Sequence, residues 1–190
     1  MTQIIPIESR DFHGHTLKLD DFVADPPFPS AVSGAAQAAT PSLIDGIIAT
    51  PLVANFHAHG SLTELLTTRD GPIEPIVHVY QVGAAPGSIR AWVYHRHQFD
   101  RLVFTEGRFE IACYDLRPDS PTHNRLNVFV LGEHEPCLLR IPPYVVHGVR
   151  NTGTERATFI NIPTNTYDRN APDKSRLLYG DPRIPYVFKA

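Results

Sequence analysis

The sequence predicts an all-β domain, and three observations predict it. Short β-rich runs recur between turn signals from Leu43 onward, no stretch sustains a helical apolar period, and prolines number eighteen against twelve glycines. Proline fixes φ and cannot donate to a ladder, so a proline-rich chain has many turns and few long helices. Evenly spaced short strands with Pro/Gly turns fit a sandwich or small barrel. The expected strands are GIIATPLV, EPIVHVYQV, SIRAWVYH, DRLVFTEG, RFEIACYDL, LNVFVLG, CLLRIP and TFINIP, separated by turns such as PDSPT, GEHEP and NTGT. In RFEIACYDL, Phe109, Ile111 and Cys113 share one face, while Arg108, Glu110 and Tyr114 turn to the other.

The start of the chain reads differently. TLKLDDFVADPPFPS has weak periodicity, and SAVSGAAQAAT lacks large apolar anchors, so residues 1–42 are expected to form an extension or linker and 43–190 the domain. The tail is turn-rich, with one short helix expected around DKSRLL. A length of 190 residues suits one domain. A net charge of −3 gives no electrostatic footprint for nucleic acid or a membrane surface. No apolar run reaches the length of a spanning helix, and MTQIIPIESRDFHG is not a secretory leader, so a cytoplasmic protein is expected. Cys113 and Cys137 read as free thiols.

The chemistry-bearing residues concentrate in two segments. The first is RAWVYHRHQFDR, with His95 and His97 two apart, then Asp100 and, further on, Gly107. The second is Pro142-x-Tyr144-x-x-His147-x-x-x-Asn151. Together they resemble the two halves of the cupin pattern, which implies a double-stranded β-helix (jelly roll) with an N-terminal extension. Residues two apart on a strand share a face, so His95 and His97 are both expected to point inward. Imidazoles with a carboxylate suit one transition metal ion (Fe, Mn, Ni or Zn), with His95, His97, Asp100 and His147 as its ligands. The alternatives are acid–base or substrate-contacting histidines without a metal, or histidines that merely pack on a strand.

A closer resemblance lies in IACYDLRPDSPTHNR, LLRIPPYVVHG and YGDPRIPYVF. These segments resemble the dTDP-4-dehydrorhamnose 3,5-epimerase family, which carries D-L-R-x-x-S-P-T, I-P-x-G-x-x-H-G and D-P-x-I at those places. The resemblance runs from about Asp45 onward. It implies a homodimeric cupin that needs no metal and acts on a nucleotide-linked 4-keto sugar. The family's diphosphate-contacting arginine falls on Arg90, its base histidine on Val93, and its lysine on Asp100. Its tyrosine falls on Asn161, and the aspartate partnering the base falls on Asp181. His147 matches the histidine of the family's A-H-G. Glu64 matches the glutamate of R-G-F-F-x-E, where His59 and Leu62 replace the arginine and an aromatic.

Three functions stand open on these residues. The first is an epimerase-like isomerase that abstracts a proton next to a carbonyl. In it His95 or His97 is the base, Asp181 orients it and His147 lines the site, while Arg90, Glu64, Tyr94 and Asn161 contact substrate. The second is a metal-dependent oxygenase or lyase/isomerase using His95, His97 and His147. The third is a non-catalytic sugar-binding cupin. His57 and His59 are expected in a solvated loop, Arg117 in a turn or dimer contact, and Trp92 in a core or interface.

Overall fold

A computed structural model describes residues 42–69 and 71–189. The expected N-terminal extension, 1–42, lies outside the described residues apart from Ser42. Among the described residues there are twelve strands and no helix: β1 (Ile48–Pro51), β2 (Ala54–His57), β3 (Gly60–Thr63), β4 (Tyr80–Ala84), β5 (Ile89–Tyr94), β6 (Asp100–Glu106), β7 (Arg108–Asp115), β8 (Leu126–Gly132), β9 (Cys137–Ile141), β10 (Val145–Asn151), β11 (Ala157–Asn161) and β12 (Ser175–Arg176). Ten of them make two five-stranded antiparallel sheets, β1-β9-β6-β11-β4 and β12-β5-β10-β7-β8, and β2 and β3 pair as a separate hairpin. This is the all-β cupin jelly roll that the sequence predicts. No helix among the described residues is long and apolar enough to cross a membrane.

Alternation along the strands builds the core. Leu102 and Phe104 of β6, Phe109, Ile111 and Cys113 of β7, Leu139 and Ile141 of β9, Val145 and Val149 of β10, and Phe159 of β11 all point between the sheets. Phe104 and Phe159 from one sheet meet Phe109 from the other, with ring centroids 4.9 to 5.6 Å apart. Burying each such ring contributes roughly 1.5–3 kcal/mol. The outer face of the second sheet is also covered. Trp92, Ala112, Tyr114 and Val146 pack under Ile184 and Phe188 of the tail, and Trp92 stacks on Phe188 at 5.4 Å. Tyr114 of RFEIACYDL, on the face opposite Phe109, Ile111 and Cys113, is therefore buried as well.

Three local expectations change. PYVVHGVRN, absent from the expected strands, forms β10. DKSRLL contains β12 rather than a helix, because Ser175 and Arg176 pair with Tyr94 and Val93 of β5. EPIVHVYQV becomes a strand only from Tyr80. Gly148 permits the close packing of β10 on β5, since a Cβ there would lie 2.5 Å from the Cβ of Ala91. The DLRPDSPT turn is tied by buried Asp115, which accepts from Nε and Nη2 of Arg117, Oγ of Ser120 and Oγ1 of Thr122. Arg117 is thus a turn residue.

The same alternation places polar groups together at one end of the interior. Tyr80 precedes Val82 and Ala84 on β4, Asp100 precedes Leu102 on β6, Asn161 follows Phe159 on β11, and His147 sits between Val145 and Val149 on β10.

Candidate active site

Asp100 is the hub of this polar end. Its carboxylate is 3% exposed and meets four nitrogens. Oδ1 accepts from Nε2 of Gln98 and Nδ2 of Asn161, both at 2.9 Å. Oδ2 faces Nε2 of His147 at 3.2 Å and Nε2 of His95 at 3.4 Å. A carboxylate has about four lone-pair sites, enough for all four contacts. Burial alone would raise the Asp100 pKa, but the bonds and charges of His147 and His95 hold it well below the ordinary carboxylate value. The ligating atoms of His95, Asp100 and His147 lie within 4.8 Å of one another, the only such set of three among the described residues.

The other nitrogen of each ring fixes its tautomer. Nδ1 of His147 lies 3.1 Å from the carbonyl of Val145, and Nδ1 of His95 bonds the carbonyl of Asp173. A carbonyl only accepts, so both Nδ1 atoms carry protons. Both Nε2 atoms then face an ionised carboxylate. Two neutral rings would aim two lone pairs at that carboxylate, so the cluster needs at least one further proton or a cation among its three members. His95 is the ring that favours this proton. Burial opposes its charge, but the bond and charge of Asp100 and the Asp173 carbonyl outweigh burial and raise its pKa.

His95 owes its position to Asp173. β5 ends at Tyr94, and the chain turns so that the N–H groups of Arg96, His97 and Gln98 all donate to the Asp173 carboxylate, at 2.8, 3.0 and 3.0 Å. The turn ends the alternation that the sequence implied for positions 93, 95 and 97. Val93 and His95 stay inside, while the side chain of His97 is exposed and outside the cluster. The expectation that His97 joins His95 as ligand or base is therefore corrected.

The remaining expected residues scatter. Asp181 gives its carboxylate to Arg183, at 2.9 and 2.7 Å, and that guanidinium holds its pKa down to about 2. The carboxylate that meets the imidazoles is Asp100, which corrects the pairing expected for Asp181. Glu64 forms an exposed two-point ion pair with Arg69 at 2.8 Å. Tyr94 lies on the outer face, stacked on Tyr144 at 6.0 Å, beside a cavity of about 460 Å³ that Leu116 and Val146 also line. His57 and His59 are exposed on the β2–β3 hairpin. Arg90, opposite Val149 on β5, is exposed, and Asn161 is inside the cluster.

Three groups went unseen in the sequence: Asp173, Tyr80 and Lys174. The hydroxyl of Tyr80 accepts from Nδ2 of Asn161 at 2.8 Å. Burial, then the charge of Asp100, raise its pKa against the hydrogen bond of Asn161 and the charge of Arg90. Lys174 is half-buried; burial, Arg176 and Arg90 lower its pKa, with Asp100 opposing. Tyr80 shares the face of Val82 in an expected strand, whereas Asp173 and Lys174 sit in an irregular tail.

No family model matches the chain. Two curated proteins do. The probable low-salt glycan biosynthesis epimerase Agl13 of Haloferax volcanii is 40% identical over 133 residues, 67% of this chain and 83% of that protein. The spore coat polysaccharide biosynthesis protein SpsL of Bacillus subtilis is 33% identical over 144 residues, 76% of this chain and 95% of that protein. Among solved structures, a dTDP sugar isomerase from Desulfovibrio desulfuricans superposes with a TM-score of 0.71 at 25% identity, over 76% of this chain and 91% of that one. The chain belongs to the dTDP-4-dehydrorhamnose 3,5-epimerase-like family of cupins.

Membership sharpens the meaning of the substituted positions. Val93, matched to the family's base, is the cross-strand partner of His147, so an imidazole stands beside it on the same face. Asn161, matched to the family's tyrosine, is the cross-strand partner of Tyr80. Asp100, matched to the family's lysine, holds both histidines.

Proposed function

We propose that this chain is an epimerase-like isomerase that moves a proton on the carbon next to the carbonyl of a nucleotide-linked keto sugar. The observation that carries the reading is the His95–Asp100–His147 cluster at the polar end of a jelly roll whose relatives include an epimerase and a dTDP sugar isomerase. Both Nδ1 protons are committed to carbonyls, so proton exchange with a substrate runs through Nε2. In this reading Nε2 of His147 accepts the substrate proton. Asp100 holds both rings in place and balances the charge that arrives. Arg90 and Lys174 bring positive charge to the mouth, suited to a diphosphate and to a developing enolate oxygen. The test is proton NMR of dTDP- and UDP-linked 4-keto-6-deoxy sugars in D2O with the protein. Catalysed loss of the signal next to the carbonyl is expected, and no exchange on any of them would refute the reading.

The donor set favours a second reading. Two imidazole Nε2 atoms and a carboxylate within 4.8 Å, with both Nδ1 atoms capped by carbonyls, also suit a transition metal. A bound ion would supply the positive charge the cluster requires and act as a Lewis acid on a carbonyl. Elemental analysis of protein purified without chelator separates the two: stoichiometric metal supports this reading and traces refute it.

The working unit in this proposal is a cytoplasmic homodimer. Ile48 on edge strand β1, Phe56 and Leu62 on the hairpin, and Ile76, Val77 and Val79 before edge strand β4 are all about half exposed or more. Apolar groups on sheet edges are surfaces that a second copy covers. Sedimentation measures this, with a dimer expected that Phe56→Asp weakens; a wild-type monomer at micromolar concentration would refute it.

A further inference from the structure

Inverting a carbon centre requires a base on one face and an acid on the other, and the cluster above supplies only one side. His147 comes from the β12-β5-β10-β7-β8 sheet, and His95 follows directly after its strand β5. Across the interior, the other sheet presents Tyr80 on β4 next to Asn161 on β11. The orientation of Asn161 is fixed by its partners. Its Oδ1 accepts the N–H of Arg101 at 3.3 Å, and its Nδ2 donates to Asp100 Oδ1 at 2.9 Å and to Tyr80 Oη at 2.8 Å. An amide nitrogen only donates, so the Tyr80 oxygen is the acceptor in that bond. The phenol proton is left unspent. Tyr80 is also 37% exposed, so the phenol is not sealed within the interior.

Resting on the isomerase reading, we infer that Tyr80 is the catalytic acid, presented by Asn161 from the sheet opposite the histidines so that its O–H proton reaches the far face of the substrate carbon. His147 removes the proton from the carbon next to the carbonyl, leaving an enolate and a protonated ring. The Tyr80 O–H bond then breaks as a C–H bond forms on the opposite face, which restores the ketone and leaves a phenolate. The phenolate takes a proton from water and His147 returns one, so no other reactant is consumed. Asn161 is a positioning residue. It orients the phenol and couples it to the Asp100 hub, so base and acid are linked by three consecutive polar contacts of 3.2, 2.9 and 2.8 Å.

The experiment separates removal of the proton from its return on the other face. Wild type and Tyr80→Phe are incubated with dTDP- and UDP-linked 4-keto-6-deoxy sugars in D2O, following both deuterium incorporation and the inverted product. Tyr80→Phe should lose inversion by about 10²-fold or more while retaining exchange with retention of configuration. Asn161→Ala, which leaves the phenol present but unheld, should lose inversion by a smaller factor. Thermal unfolding of both variants controls for folding. Inversion at the wild-type rate by folded Tyr80→Phe, or an equal fall in exchange and inversion, would overturn this inference alone. A wild type that exchanges no proton would overturn the isomerase reading together with it.

Discussion

Replacing Asp100 by asparagine tests the hub with almost no change of shape. Four nitrogens surround the carboxylate: Gln98 Nε2 and Asn161 Nδ2 on one oxygen, His147 Nε2 and His95 Nε2 on the other. An asparagine keeps one oxygen and turns an NH2 toward the other pair, so the protonated His95 Nε2 then meets donor against donor. A hydrogen bond to a charged group contributes about 1.5–3 kcal/mol, so losing the one from His95 should cost about that much. The pH dependence follows from two opposite shifts. The depressed Asp100 pKa gives stability that is present above the unfolded value near 3.9 and lost as pH falls through the folded value. The raised His95 pKa gives stability that is complete below the unfolded value near 6.5 and lost as pH rises through the folded value. The gap between wild type and Asp100→Asn should therefore be widest between about pH 4 and 6.5 and narrow above it. Urea unfolding across that range measures it. A gap below about 1 kcal/mol, or one that widens from pH 6 to 9, would refute the hub.

Three further outcomes follow from the same geometry. Asp173→Ala strands three N–H groups and the His95 turn, so proton exchange should fall at least about tenfold while stability falls by only about 1–3 kcal/mol; equal activity would contradict the anchoring role. Asp115→Asn loosens the Arg117–Ser120–Thr122 turn, costing about 2 kcal/mol at neutral pH; because the Asp115 pKa is depressed, that cost should fade below about pH 4, as urea titrations at several pH values would show. His97→Ala should leave exchange within about twofold of wild type, since the side chain is exposed outside the cluster; a large loss would place it back in the site.

Much of the fold was legible because its strands alternate. Phe109, Ile111 and Cys113 fall on the core face that the pattern assigns to them. β10 is hard to read from sequence because two prolines precede it and His147 and Gly148 interrupt its apolar run, although Gly148 is there to let β5 approach. The site was legible only in part. His95, Asp100 and His147 were readable as a histidine pair with a nearby acid and a later histidine. Their selection over His97 depends on a turn folded around Asp173, 75 to 77 positions away along the chain, which no local pattern reveals. Asp181 looked like the orienting acid by its place in GDPRIP, but it serves its own neighbour Arg183. Val93 and Asn161 each looked like a lost catalytic group, because cross-strand partners are invisible until register is known. Nothing in the structure explains why Tyr144 holds φ of 61° where the family pattern has glycine.

The central claim is that His147, held by Asp100 and partnered by His95, exchanges the proton next to a sugar carbonyl. The most direct measurement is deuterium incorporation into a nucleotide-linked 4-keto-6-deoxy sugar by EDTA-treated wild type and by folded His147→Gln. Undiminished exchange by the treated wild type, with a fall of about 10²-fold or more in His147→Gln, is the predicted result. Exchange that survives His147→Gln unchanged would contradict the account.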